Sequence, residues 1–157
     1  MVNSHHKQIC TIVLIIILMS VTYTYLQRGV WPGLRESADF LVYYSASNAI
    51  LQGDSHRLYD IEWFYSRGIQ PYQYLPFFAI LVSPLTLFSF QKALIIWMVI
   101  NHLLLTGSIW IVIKALKIPD LRIVIGIIIP FLGFGPMDSN MFWGQVNVVI
   151  MFCILFA

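Results

Sequence analysis

Between Lys7 and Arg28 the chain carries no charged side chain. The run from Ile9 to Leu26 inside that interval is almost wholly apolar. As a helix rising about 1.5 Å per residue it reaches about 27 Å, close to the ~30 Å hydrocarbon core of a bilayer. A helix that is apolar on every face needs lipid or a large core around it, and this chain is too small to supply the core. The run therefore sets the class: an all-α integral membrane protein, a multi-span helical bundle. Composition agrees, with 59% hydrophobic and 10% charged residues, against about 25% charged in an average soluble domain. The net charge of +2 and the lack of a basic stripe interleaved with aromatics argue against a nucleic-acid partner.

His5, His6 and Lys7 ahead of the run give it the look of a signal peptide. No small-x-small cleavage site precedes Gln27 and Arg28, so an uncleaved signal anchor is expected. Cys10 and Cys153 lie at or inside apolar segments and make no metal-ligand spacing; neither a metal site nor a cofactor is expected.

The rest of the chain reads as one partial transmembrane domain over 1–157. Spans are expected at 9–26, 93–113 and 123–134, with the start of a truncated one at 148–157. Residues 27–74 form a charged loop. The segment 75–90 is apolar but short, and Pro76 and Pro84 break it, because each proline removes a backbone donor. If 75–90 crossed the bilayer, the basic turn Lys114/Lys117/Arg122 would lie outside, against the positive-inside tendency. As a proline-broken interfacial or re-entrant segment it leaves that turn inside with Lys7. It then puts the 27–74 loop and the polar patch around Asp138 to Asn147 together on the outer side. The second arrangement is the one expected.

Within the loop, Ser37 is a good helix N-cap and Gly53 a good stop, with no proline between them. Phe40, Tyr43, Tyr44, Ser47, Ile50 and Leu51 recur with helical spacing. The pattern predicts an amphipathic helix over 38–52, lying along the membrane surface with its aromatic stripe in the headgroup region. Asp39 falls in the first turn, and Tyr43, its i+4 neighbour, is within reach of the carboxylate. Two roles fit Asp39. It is either an acid that stabilises a helix N-terminus, or a carboxylate poised at the lipid boundary to take a proton from a substrate hydroxyl.

Three blocks in order resemble glycosyltransferase family 87, the GT-C type, polyprenyl-phosphate-mannose-dependent mannosyltransferases. The first is DFLVYYSASNAILQGDSHRLYD, Asp39 to Asp60. The second is YQYLPFFAILVSPLTLF, Tyr72 to Phe88, where Leu75 replaces the first of two prolines in the family pattern. The third is NMFWGQVNVVIMFCIL, Asn140 to Leu155, with its Gly-Gln-x-Asn core. The resemblance implies a membrane enzyme that passes a hexose, mannose, from a polyprenyl-phosphate donor to an acceptor hydroxyl on a glycolipid or glycan. It also implies an active site on the extracytoplasmic face of the cell membrane, with Asp39 as general base.

Several residues then become candidates for substrate binding. Arg57 and Arg67 could hold the donor phosphate, or be solvated arginines. Tyr43, Tyr44 and Tyr74 could line the sugar or lipid path, or anchor the interface. Gln145 and Asn147 could meet sugar hydroxyls or a phosphate, or bond helices to one another. Asp138 is a further polar candidate in the same patch. Asn101 and His102, mid-span, are expected to face the bundle interior. The chain is short for this class, so an N-terminal fragment, inactive by itself, is expected. The alternative is a small non-enzymatic membrane scaffold or modulator.

Overall fold

The computed structural model describes residues 4–157, and every regular element among them is helical. α1 (Ser4–Tyr25) does not stop where the apolar run ends. It continues through a π turn (Leu26–Val30) into the short α2 (Trp31–Gly33). Pro32 has no N–H for the preceding turn, and the widened π turn just before it is one way a helix absorbs such a loss. The chain leaves helical geometry around Glu36 and re-enters it as α3 (Ala38–Leu51), which is closed by Gly53 at φ +81°. α4 (Ile61–Tyr65) follows, capped by Asp60, whose Oδ1 accepts the Trp63 N–H at 2.9 Å.

α5 (Pro76–Val82) runs straight into a 3-10 turn (Ser83–Leu87) that contains Pro84. α6 (Phe90–Ala115) is long and apolar; α7 (Leu121–Gly133), α8 (Gly135–Trp143) and α9 (Asn147–Phe156) follow it. The expected proline-broken segment is thus two short helical pieces. The patch after Gly133 forms a helix of its own, with Pro136 in its first turn.

Among the described residues two helices are long and apolar enough to cross a membrane, and α7 with α8, bent by 56°, makes a third if the pair is one span. The helical stretch that starts at His5 extends over 47 residues to Leu51.

The helices sort into two pairs, α1 along α7 and α6 along α9. At one end of the first pair, the turn before α7 meets the start of α1. There Arg122, and then Lys7, hold the Asp120 carboxyl down at about 2. Further along, Val21 meets Gly133, and Gly29 lies against the Asp138 backbone. α1 and α7 therefore run in the same direction. In the second pair Trp97 meets Gly144 and Gly107 meets Phe152, so α6 and α9 also run together. One end of the bundle carries Lys7, Lys114, Lys117 and Arg122. The other carries α3, α5, α8 and the loops between them.

α3 is buried on more than one side. Phe40, Tyr43 and Ser47 have 0% exposure, and Val42, Ala46 and Ala49 are buried beside them. Of the stripe expected to face lipid headgroups, Phe40, Tyr43 and Ser47 are protein core, Tyr44 and Ile50 are half-buried, and Leu51 is exposed. Phe40 stacks on Trp97 of α6 at 5.6 Å, and Tyr43 meets Phe78 of α5 edge-on at 5.0 Å. Ser47 Oγ donates to the Ala79 carbonyl at 2.8 Å, which fixes α5 along α3. Helical periodicity identifies a face that must be covered, and here α5 and α6 cover it before lipid can. Asn101 is buried, with Nδ2 donating to the Trp97 carbonyl at 2.9 Å. His102 is linked to Tyr25 of α1, Nε2 to Oη, at 3.1 Å.

Candidate functional site

The first turn of α3 meets the turn between α8 and α9, and the contact is pinned from several directions. Ser37 occupies the N-cap position without capping through its side chain. Its Oγ lies 2.6 Å from the Gly33 carbonyl and 3.3 Å from that of Phe142, and it donates to both, tying α2, α3 and α8 together. Gly33 is needed for this approach, since a Cβ there would lie 2.3 Å from the Met141 carbonyl oxygen. Gly144 ends α8 at φ +69°, a left-handed geometry that glycine adopts freely. A Cβ on it would sit 3.0 Å from the Cβ atoms of both Phe40 and Ser37. Trp97 Nε1 donates to the Gly144 carbonyl at 2.9 Å, closing the junction from α6.

Gln145 is next in that turn. Its backbone N–H donates to the Asn140 carbonyl at 2.9 Å. Its side-chain Oε1 accepts from Asn147 Nδ2, also at 2.9 Å. Asp39 itself is half-buried, and burial pushes its carboxyl above the ordinary range, with Gln145 pulling the other way. No charged neighbour enters that balance.

On its open side Asp39 faces a cleft of about 260 Å³ lined by Val42, Tyr43, Gln70, Pro71, Gln73 and Tyr74. None of these is a cation. The cleft offers one carboxylate with amides and phenols around it, a set suited to hydrogen-bonding a polyol. Gln70 and Gln73 were not singled out from the sequence. Their signal was the run Gln-Pro-Tyr-Gln-Tyr, with its alternating amides and phenols, which looks like any polar loop until it is folded against Asp39.

The tyrosines divide. Tyr43 Oη donates to Tyr74 Oη at 3.0 Å, not to Asp39 as its spacing suggests. Its ring is wedged among Tyr74, Phe78 and Trp97, which aims the hydroxyl at Tyr74. Tyr74 belongs to the cleft and is steadied by Tyr59, which donates to its carbonyl at 2.8 Å. Tyr44 is elsewhere, donating to the Phe88 carbonyl at 2.8 Å.

Arg57 and Arg67 do not line the cleft. Both lie over the Trp63 ring, at 6.0 and 4.1 Å from its centroid. Arg57 also pairs with Asp54 at 3.2 Å. Asp138 sits in the first turn of α8 beside the π turn, where Tyr25 and Arg28 are its electrostatic neighbours. The structure thus brings Asp39, Tyr43 and Tyr74 together at one cleft, pairs Gln145 with Asn147 in the α8–α9 turn, and leaves Tyr44, Arg57, Arg67 and Asp138 apart. Among the described residues no cluster of His, Cys, Asp or Glu could hold a metal ion.

The sequence model of the family described as Glycosyltransferase family 87 matches residues 72–157. The matched stretch includes Tyr74, Gln145 and Asn147; Asp39 lies N-terminal to it. No curated protein and no solved structure matches the chain.

Proposed function

The chain belongs to glycosyltransferase family 87, and from that premise we propose a membrane hexosyltransferase in which Asp39 is the general base. It moves mannose from a polyprenyl-phosphate donor to an acceptor hydroxyl on a glycolipid or glycan. The observation that carries this reading is the Asp39 cleft: a half-buried carboxylate, free of cations, ringed by Gln70, Gln73, Tyr43 and Tyr74. Asp39 takes the proton of the acceptor hydroxyl as that oxygen bonds to the anomeric carbon. The bond from the anomeric carbon to the phosphate oxygen breaks, and the phosphate leaves with the electron pair. The leaving group is already anionic, so the step needs a base more than an acid. A carboxylate raised by burial is a stronger base than a solvated one.

Arg57 and Arg67 stand outside the cleft, stacked on Trp63. They serve the donor phosphate only if that group reaches the α4 side. The gathering of Lys7, Lys114, Lys117 and Arg122 at the opposite end supports placing that end in the cytoplasm. The Asp39 cleft then opens on the extracytoplasmic face, and 75–90 stays on that side without crossing.

The test is transfer of labelled mannose from a polyprenyl-phosphate donor in membranes carrying the wild-type protein or Asp39→Asn. Loss of about 100-fold or more is expected for the variant, the usual scale for a general base, with membrane insertion and abundance unchanged. Retained transfer ends the catalytic assignment.

A further inference from the structure

α7 climbs toward the cleft end of the bundle and α9 descends from it, and a trench lies between them. It consists of two adjoining cavities, of about 600 and about 230 Å³, which share Phe134, Met137 and Met151 as walls. The larger runs along α7 from Phe134 to Gly126, walled by glycine and apolar side chains only. The smaller ends at two amides, Asn140 and Asn147. No wall residue of either is charged, and none also lines the Asp39 cleft.

Asn140 is what sets this trench apart from an ordinary lipid-facing groove. It is 3% exposed, and among the described residues neither its Oδ1 nor its Nδ2 has a hydrogen-bond partner. A buried amide without partners is destabilising, so its place at the head of a cavity calls for a ligand that both accepts and donates. Beside it α9 begins with no side-chain cap at Val146, and its first N–H groups are further donors. Asn147 gives one N–H to Gln145 Oε1 and keeps its own oxygen open.

The depth of the trench narrows the ligand. Gly29, just past the apolar run that ends at Leu26, lies against the Asp138 backbone. Asn140 is therefore at the level where hydrocarbon gives way to headgroups. From Phe134 down to Gly126 is eight residues, about 12 Å at 1.5 Å per residue, close to one leaflet of a ~30 Å core.

We propose that the trench binds a bilayer phospholipid of the phosphatidylethanolamine type, one acyl chain lying between α7 and α9 and its glycerol ester at Asn140. The ester carbonyls accept from Asn140 Nδ2 and from the first turn of α9, and the headgroup ammonium donates to Asn140 Oδ1. A lipid with no net charge suits a wall with none. A polyprenyl phosphate fits less well, because its chain is longer than a leaflet and its phosphate meets no cation here. The site needs α7 and α9 in a bilayer and no role for Asp39, so it stands apart from the transfer reaction.

The full chain in detergent is incubated with dioleoyl phosphatidylethanolamine, its ether-linked analogue or a polyprenyl phosphate, then examined by native mass spectrometry. One retained diester lipid per chain is expected. Retention of the ether analogue should be about tenfold lower, the scale of the lost carbonyl hydrogen bonds. Asn140→Leu should lose the lipid, yet melt no lower than wild type in lipid-free detergent, since it removes an amide that the protein leaves unpaired. Equal retention of the ester and ether forms, preference for the polyprenyl phosphate, or an Asn140→Leu that keeps the lipid overturns the proposal. So does a folded, lipid-free Asn140→Leu that melts well below wild type, because the amide then has a partner other than lipid. If Asn140→Leu does not fold, Met151→Trp, which fills the trench below the amide, decides; retained lipid in that variant overturns the site. A dimer without lipid as the sole species means that a second copy fills the trench, and overturns it too.

Discussion

Asp39 is a carboxyl that the fold makes harder to ionise. Burial raises it and Gln145 only partly offsets the rise, so the acid limb of kcat/KM is expected above the ordinary aspartate value of about 3.9. Activity should fall as pH drops through that limb, because the base is then protonated; a limb at or below the ordinary value in a rate profile contradicts the burial argument. The stability linkage has the opposite slope. In that window the folded chain binds more protons than the unfolded one, so stability decreases as pH rises through it. Asp39→Asn removes this penalty, and its thermal melting temperature at neutral pH should not fall below wild type. Gly144→Ala should be costly for two separate reasons, a left-handed backbone and Cβ contacts at 3.0 Å. Together these come to roughly 2–4 kcal/mol of stability, read by melting in detergent. At this scale the sequence was legible in part. Asp39 stood out through its place before an aromatic run, and the Gly-Gln-x-Asn block stood out as polar residues between apolar ones. What lines the cleft beside Asp39 was not legible, because Tyr74 and its neighbours lie across the fold in a different segment. Gln70 and Gln73 went unread for the same reason.

At the scale of elements, α3 was legible as a helix, but that Phe40, Tyr43 and Ser47 of its stripe are protein core was not. Its bounds follow from Ser37 and Gly53, and its stripe follows from spacing, but periodicity does not say whether lipid, water or protein covers the stripe. Phe40 tests the difference. Buried at 0% exposure and stacked on Trp97, it should cost about 3–5 kcal/mol on truncation to alanine, as core aromatics do. A headgroup-facing phenylalanine would cost far less, so a small change in the unfolding midpoint of Phe40→Ala would return α3 to the interface. α5 and its 3-10 continuation were readable from Pro76 and Pro84. α8 was not, because Gly-Pro-Met-Asp-Ser-Asn has no apolar period; what makes it a helix is its fit against the π turn and α2, where Gly29 and Gly33 leave room for its backbone.

At the scale of the whole molecule, the parallel course of α1 with α7, and of α6 with α9, separates a basic end from the end that holds the cleft. The sequence reading expected the basic residues Lys7, Lys114, Lys117 and Arg122 to share one side because charge at loop positions is visible without any fold and because 75–90 is short and carries two prolines. Labelling settles the membrane side. In a background lacking Cys10 and Cys153, cysteines introduced at Ser55 and Lys117 should react with an impermeant reagent from opposite faces; reaction from one face means that 75–90 crosses. The packing of the α8–α9 turn on the first turn of α3 also bears on how the protein is made. Ser37 and Phe142 are 105 residues apart in sequence, so a ribosome releases Asp39 long before it releases Gly144. The cleft-lining residues and the α6 face that covers Phe40 are made first, and the turn that locks the first turn of α3 in place arrives last, so the site is shaped before it is clamped.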